Sequence, residues 1–442
     1  MRRNLRQHGR AILAYGETIA AVTTTPSLEE RARALLEANT QTAEAGGRRF
    51  RFSVPAVRDY PFQWFWDSCF HAIVWSRFDA ARAADELRGL LAAQDEDGLI
   101  PHVVFWKGDL VSRLRWHHLE SRTDGRLPFH RTPHTTAQMQ PPVIAQAVER
   151  VVHAGAGDAF LAEALPRLER YYRYLAALRD PDGDALVSVI SQFESGLDFS
   201  PAYDVSVGAR TVHPLELFLR TRLPQLHNKL ANYDLRTIFR RYRHHQEDVL
   251  VNAVYGQGLR ALARLAARAG REATAHWAAR TANDVTAALL ERSWDERLRL
   301  FVNLAGPEER RGRVKTVHGL MPLILPDLPP EVATTLAEHL DHPRTFGAPF
   351  PVPSVALDEP TFTPDHRVRG FRFIWRGPLS LNTNWFLVHG LRGHGFDDLA
   401  DRIAERSRTA VERGGFNEFY DPLSGRPVGA ARFGWATLVV DM

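Results

Sequence analysis

Two short loops carry the residues best suited to acid–base chemistry. The first, Phe193-Glu-Ser-Gly-Leu-Asp-Phe-Ser-Pro-Ala-Tyr-Asp204, places three acids, Glu194, Asp198 and Asp204, within eleven residues. The second, Gly415-Phe-Asn-Glu-Phe-Tyr-Asp-Pro-Leu-Ser-Gly425, sets Glu418 between aromatic residues just before a turn. Cleavage of a glycosidic bond needs this pair of functions. One carboxyl group protonates the departing oxygen, because an alkoxide leaves poorly, and a second activates water on the opposite face of the sugar. Partial desolvation among Phe193, Leu197 and Phe199 would raise the pKa of Asp198 and suit it to the acid role. Loop acids also serve to satisfy turn amides, and local spacing cannot bring Asp198 and Glu418 together. That requires the fold.

A third segment, Pro61-Phe-Gln-Trp-Phe-Trp-Asp-Ser-Cys-Phe-His71, fits a sugar subsite. The faces of Trp64 and Trp66 suit the C–H face of a pyranose, and the Asp67 carboxylate accepts hydroxyl protons. The competing reading is an aromatic core cluster with Asp67-Ser68 as a helix N-cap. His102, Gln140 and Glu247-Asp248 are further candidates, as is the loop 374–385 with Trp375, Arg376, Gly377, Asn382 and Trp385. Capping is the competing reading of Asn382 and Asn384, and it is the favoured one for Glu247-Asp248. No metal or cofactor site is expected. His130 and His134 are four residues apart, but Pro133 disfavours a helix there and the glutamate of a zinc-protease motif is missing. The lone Cys69 excludes an internal disulfide framework and reads as a buried core thiol.

The elements that position these loops are helical. Leu161, Leu165, Leu168, Tyr172 and Leu175 form one apolar stripe, and Val251, Val254, Tyr255, Leu259 and Leu262 another. Turn signals such as Asp95-Glu-Asp-Gly98 and Asp180-Pro-Asp-Gly183 separate them. The pattern predicts an all-α chain of about ten or eleven helices stacked around a common axis. Residues 185–193 are the best strand candidate. No linker divides the chain, so residues 1–442 read as one domain, with the more basic stretch 205–246 as a lid or hairpin insertion.

Net charge is +4, carried almost wholly by dispersed arginines, and no basic stripe of the nucleic-acid-binding kind appears. The N-terminal segment 1–22 is basic at its start, but Glu17 interrupts its apolar run and no cleavage site follows. No stretch approaches the roughly 20 apolar residues of a membrane span. The expectation is a cytoplasmic protein acting on a small molecule, bound to neither nucleic acid nor membrane. Homo-oligomer formation is left open.

Taken in order, the segments resemble glycoside hydrolase family 63, in particular its short bacterial members that hydrolyse mannosylglycerate or glucosylglycerate. The matching pieces are QWFWDSCFHAI (63–73), GLIPHVVF (98–105), QPPV (140–143), ESGLDFSP (194–201), EDVLVNAV (247–254), PSVALDEPTF (353–362), WRGPLSLNTNWFLVHGL (375–391), FNEFYDPLSG (416–425) and FGWATLVV (433–440). The resemblance implies an (α/α)6 barrel and an inverting α-glycosidase, with Asp198 as general acid and Glu418 as general base. It places Trp64, Trp66, Asp67, Gln140, Trp375 and Trp385 around the sugar. From the same motifs His102, Glu194, Gly196, Gly377, Asn382 and Trp435 complete the candidate binding set, and Arg376 and the basic segment 236–243 are candidate partners for a glycerate carboxylate. Phe199 stands where related chains often carry a polar residue. Leu-Ser-Leu-Asn follows WRGP in place of the commoner Trp-Ile-Asn type. The alternatives are an α-glucosidase of neutral disaccharides or short oligosaccharides and, further off, a trehalase and then a non-catalytic sugar-binding protein.

Overall fold

The computed structural model describes residues 26–106, 134–209, 213–242, 244–365, 367–368, 371–372 and 374–442. The segment 1–22 and His130, both weighed above, lie outside the described residues. Six elements form a closed inner ring: Phe65–Trp75, Ile144–Val151, Val249–Arg268, Val317–Ile324, Leu381–Gly393 and Gly434–Asp441. Each packs on the next, and the last packs back on the first. Every inner element also packs on an outer helix. In the same order these are Ala80–Ala92, Gly157–Leu178, Glu272–Ala288, Pro330–Asp341, Asp397–Gly414 and Leu28–Ala38. This is the expected (α/α)6 barrel.

The sequence separates the two rings by the width of their apolar faces. Phe65–Trp75 is buried at every position, as a helix apolar on all sides must be. Asp397–Gly414 buries only Ala400, Ile403, Ala404, Ser407, Ala410 and Val411, a single stripe at helical spacing, and turns its charges outward. Cys69 sits fully buried in the first inner helix.

Two capping expectations change. Helix Phe65–Trp75 begins at Phe65 after Trp64, so Asp67 falls inside the first turn and does not cap it, while Ser68 Oγ donates to Glu86. Asn382 lies one residue inside the helix that Ser380 precedes, and its Oδ1 accepts the Thr383 amide. Asp248 does cap Val249–Arg268 by accepting the Val251 N–H at 3.0 Å. Of the strand expected over 185–193, only Ser188–Val189 forms. It joins a four-stranded antiparallel sheet with Gln246–Glu247, Leu304–Ala305 and Arg310–Arg311. The described residues of segment 205–246 are mainly helical, with Pro214–Leu230 the longest element among them. Among the described residues no helix is long and apolar enough to cross a membrane.

The seam between the first and last inner elements is closed by polar contacts. Asn39 Nδ2 donates to the carbonyls of Pro55 and Arg432 at 3.1 and 3.0 Å, and the Gly434 N–H donates to Pro55 at 2.7 Å. Both Asn39 acceptors belong to segments that only the closed ring brings together. Replacing Asn39 by Ala removes one of the two donors to the buried Pro55 carbonyl and the side-chain donor to Arg432, and should cost about 1–2 kcal/mol, measured by urea unfolding.

Candidate active site

The loops that lead into the inner elements converge on a cavity of about 250 Å³. Tyr60, Trp64, Trp66 and Asp67 enter it from the start of the first inner helix, and His102 from the loop after the outer helix Ala80–Ala92. Gln140 precedes the second inner helix, and Phe193, Gly196, Asp198 and Phe199 lie in the long connection to the third. Ile374 and Trp375 precede the fifth, while Glu418, Phe433 and Trp435 line the entry to the sixth. The fold therefore brings Asp198 and Glu418 to one cavity across 220 residues of sequence.

Glu418 sits on strand Asn417–Tyr420 and is 2% exposed. Its Oε1 accepts from the Tyr60 hydroxyl at 2.9 Å and its Oε2 from the Ala430 amide at 2.9 Å. Gly429, at φ +80°, lets the neighbouring strand approach, since a Cβ there would lie 2.7 Å from Oε2. Trp435 Nε1 donates to the Glu418 carbonyl at 3.2 Å. A carboxylate fixed by two donors retains lone pairs for a third, such as an attacking water.

The Asp198 loop is anchored on both sides. Glu194 lies fully buried in a bidentate pair with Arg179 at 2.7 and 2.8 Å, and it accepts the amides of Met139 and Ile190. Gly196 adopts φ +72° with the Trp66 ring so close that a Cβ would meet it at 2.4 Å. Phe199 also takes positive φ, +64°, and its N–H donates to Gln192. Gln140 Oε1 holds the Trp66 amide at 3.0 Å.

Two buried polar groups face the cavity with capacity to spare. Burial pushes the Asp67 carboxyl well above its usual range; its own backbone hydrogen bond partly opposes this, and the Glu418 charge adds to it. Its Oδ1 has no partner among the described residues. Burial pushes His102 down to about 3, which keeps the imidazole neutral, and its Nδ1 is likewise unpartnered. Such groups, set among indoles, are suited to sugar hydroxyls, which both give and accept protons.

Five of the expected binding residues do not line this cavity. Glu194 is committed to Arg179, as described. Arg376 is 1% exposed and forked onto Asp204 at 2.5 and 3.2 Å, so its guanidinium ties two loops together. Gly377 packs against the Thr363 backbone. Asn382 is fully buried in its helix. Trp385 donates to Asp441 at 2.9 Å and packs against Phe70 and Phe386 in the core. The remaining ten candidates, including both carboxylates, do line it.

A family model described as the mannosylglycerate hydrolase MGH1-like glycoside hydrolase domain matches residues 60–436. The chain belongs to that family. It is a glycoside hydrolase. A mannosylglycerate hydrolase of Thermus thermophilus is 30% identical over 423 residues, covering 88% of this chain and 95% of the relative. A glucosylglycerate hydrolase of Mycolicibacterium hassiacum is 26% identical, covering 86% and 91%. A crystal structure of a Thermus thermophilus mannosylglycerate hydrolase of glycoside hydrolase family 63, in complex with Tris and D-glycerate, superposes with a TM-score of 0.79 at 28% identity, covering 94% of this chain and all of that one.

Tyr60 and Arg222 line the cavity of this family member but were not picked out from sequence. Tyr60 directly precedes the aromatic segment that was, and a phenol beside a tryptophan-rich run is a usable signal. Arg222 lies on helix Pro214–Leu230 among other arginines, and nothing in its spacing marks it.

The contrast between Glu194 and Asp67 is measurable. Glu194→Gln strands a buried guanidinium and should lower stability by about 3–5 kcal/mol in denaturant unfolding. Asp67 has a raised folded-state pKa, so its contribution is fully present below about pH 4 and is lost as pH rises through the folded value. Asp67→Asn should therefore flatten the decline in stability above pH 4, followed as the unfolding midpoint against pH.

Proposed function

We propose that this glycoside hydrolase cleaves a small α-glycoside of glycerate, 2-O-α-mannosylglycerate or glucosylglycerate, with inversion at the anomeric carbon. In this reading Asp198 protonates the departing glycerate oxygen. Glu418, oriented by Tyr60 and the Ala430 amide, takes a proton from the attacking water. Inversion calls for carboxyl groups roughly 6.5–9.5 Å apart, with the water between them. Trp64, Trp66, Trp375 and Trp435 supply apolar walls for the sugar, and Asp67, His102 and Gln140 supply its polar contacts. The observation that carries this reading is the meeting of Asp198 and Glu418 in one tryptophan-walled cavity.

The cavity volume of about 250 Å³ suits a monosaccharide with a three-carbon aglycone. It falls below the roughly 300–1,000 Å³ typical of sites for drug-sized ligands. Arg376 is withdrawn into its pair with Asp204, and among the described residues Arg222 is the arginine that lines the cavity. A guanidinium matches a carboxylate in geometry and charge, so Arg222 is the residue we assign to the glycerate end. The segment 205–246 that carries it then acts as a lid over the leaving-group side. The D-glycerate complex of the Thermus thermophilus structure and the glycosylglycerate hydrolases among the relatives support this choice. A cytoplasmic location fits a chain whose lone cysteine is a buried free thiol.

Asp198→Asn and Glu418→Gln should each lower kcat by about 10²–10⁴-fold while leaving the unfolding transition in place. Proton NMR of fresh product should show the β-anomer first. Retention of either variant's full activity would remove that residue from the mechanism. Arg222→Met should raise KM for glycosylglycerates about 10–100-fold, the equivalent of a lost charged hydrogen bond, and leave neutral α-glycosides unaffected. If kojibiose, nigerose or trehalose is cleaved faster than either glycosylglycerate, the glycerate assignment fails and the acid–base assignment stands.

A further inference from the structure

The turn Asp180-Pro-Asp-Gly-Asp184 does more than connect two elements. It follows the outer helix Gly157–Leu178 and leads into strand Ser188–Val189, upstream of the loop that carries Asp198. Asp180, Asp182 and Asp184 alternate along it, and one carboxylate oxygen from each lies within 4.8 Å of the others. Like charges at that separation repel unless something positive lies between or beside them.

The partner strand adds a fourth carboxylate. Gln246–Glu247 pairs antiparallel with Ser188–Val189, with Glu247 opposite Ser188. Glu247 is 2% exposed, and its Oε2 has no hydrogen-bond partner among the described residues. Burial, then the charges of Asp184 and Asp182, push this carboxyl up to about 9, so the turn is its strongest charged neighbour. Asp184 Oδ2 is also buried without a hydrogen bond. So is the hydroxyl of Tyr255, a residue 1% exposed whose electrostatic neighbour is Asp180. The positive group recorded at the cluster is Arg292, with Nε 3.3 Å from Asp184 Oδ2, and that arginine is shared with Glu309. Asp184, Glu247 and Glu309 thus share one guanidinium, with Asp182 and Asp180 in the same turn as Asp184.

We propose that Asp180, Asp182 and Asp184, with Glu247 from the adjoining strand, bind a hard divalent cation of the calcium class. Every donor is an oxygen, and carboxylates at alternate positions of a tight turn can wrap a large ion that takes six to eight oxygens. Magnesium, which demands a compact octahedron and keeps its waters, suits this arrangement less well. Thiolates and imidazoles, which would favour zinc or copper, are missing from the group. The ion would join the turn to the sheet behind the Asp198 loop. Arg179, which holds Glu194 at the head of that loop, is the residue just before the turn.

The test uses the full chain. Its calcium content is measured by plasma mass spectrometry as purified; the protein is then stripped with EDTA, dialysed, and titrated with calcium chloride in a calorimeter. One calcium per chain and a rise in unfolding midpoint of roughly 3–5 °C at saturation are expected, with a clearly smaller rise in magnesium chloride. Asp182→Asn, at an exposed position where folding is not at stake, and Glu247→Gln should each abolish the calcium-dependent rise. The absence of retained calcium, together with the absence of any heat or midpoint shift when the stripped wild type is titrated, would overturn the proposal. So would a midpoint shift of the same size in both variants.

Discussion

Closure of the inner ring is the constraint on which the rest of the molecule depends. Six elements surround one axis, and each must offer apolar surface to two ring neighbours and to an outer helix. Phe65–Trp75 meets this demand by being buried along its whole length. Elements of that kind hold few polar groups, because a buried donor or acceptor without a partner is costly, and the unpartnered Oδ1 of Asp67 lies in the first turn, where the helix meets the cavity. Reactive side chains are thereby displaced to the connections, and the candidate site residues cluster where chain enters the ring. The edge-on contact of Trp66 with Trp435, with ring centroids 5.6 Å apart, spans the seam between first and last inner elements and forms part of the cavity wall. Packing that closes the barrel and packing that shapes the site are here the same contact.

The strongest buried electrostatic contacts lie outside the cavity. Glu194 with Arg179, and Glu86 with Arg82 and Ser53, are enclosed, and the buried Arg376 reaches a partly exposed Asp204. Pairs of this kind add little net stability over well-packed apolar residues, but breaking one is expensive, so they resist rearrangement of the loops they join. The Asp198 loop is tied at its head by Glu194 and at its tail by Asp204. The residues that face the cavity keep spare hydrogen-bonding capacity instead, as Asp67 and His102 do.

Much of this was legible in the sequence. Helical periodicity marked the scaffold, and ordered motifs drew attention to both carboxylates and to the tryptophans around them. Less legible was which polar residue within a motif faces the cavity. Glu194 and Asp198 are four residues apart in a loop, and periodicity has no meaning there. One found a buried arginine and the other the cavity. Arg376 departed from expectation, and Arg222 went unnoticed, for a related reason. An arginine is placed by whichever carboxylate the fold brings near it, and Asp204 is distant from Arg376 in sequence. Asp67 shows a different limit. Its type suited a helix cap, yet the helix begins two residues earlier because the aromatic residues before it are themselves required in the core.

The order of elements along the chain has a consequence for how the protein is made. Gly434–Asp441, which completes the ring, comes after the other five inner elements, and its outer partner, Leu28–Ala38, comes before all of them. During synthesis, therefore, five ring elements leave the ribosome before the sixth exists. The apolar flanks of Phe65–Trp75 and Leu381–Gly393 stay uncovered for that interval, and so does the inward face of the first helix. Closure is a contact between the two extremes of the barrel's sequence, which places this fold among those whose decisive step is non-local and late. Until then the nascent chain carries a surface that chaperones recognise, and loss of the last inner element would leave that surface permanently open.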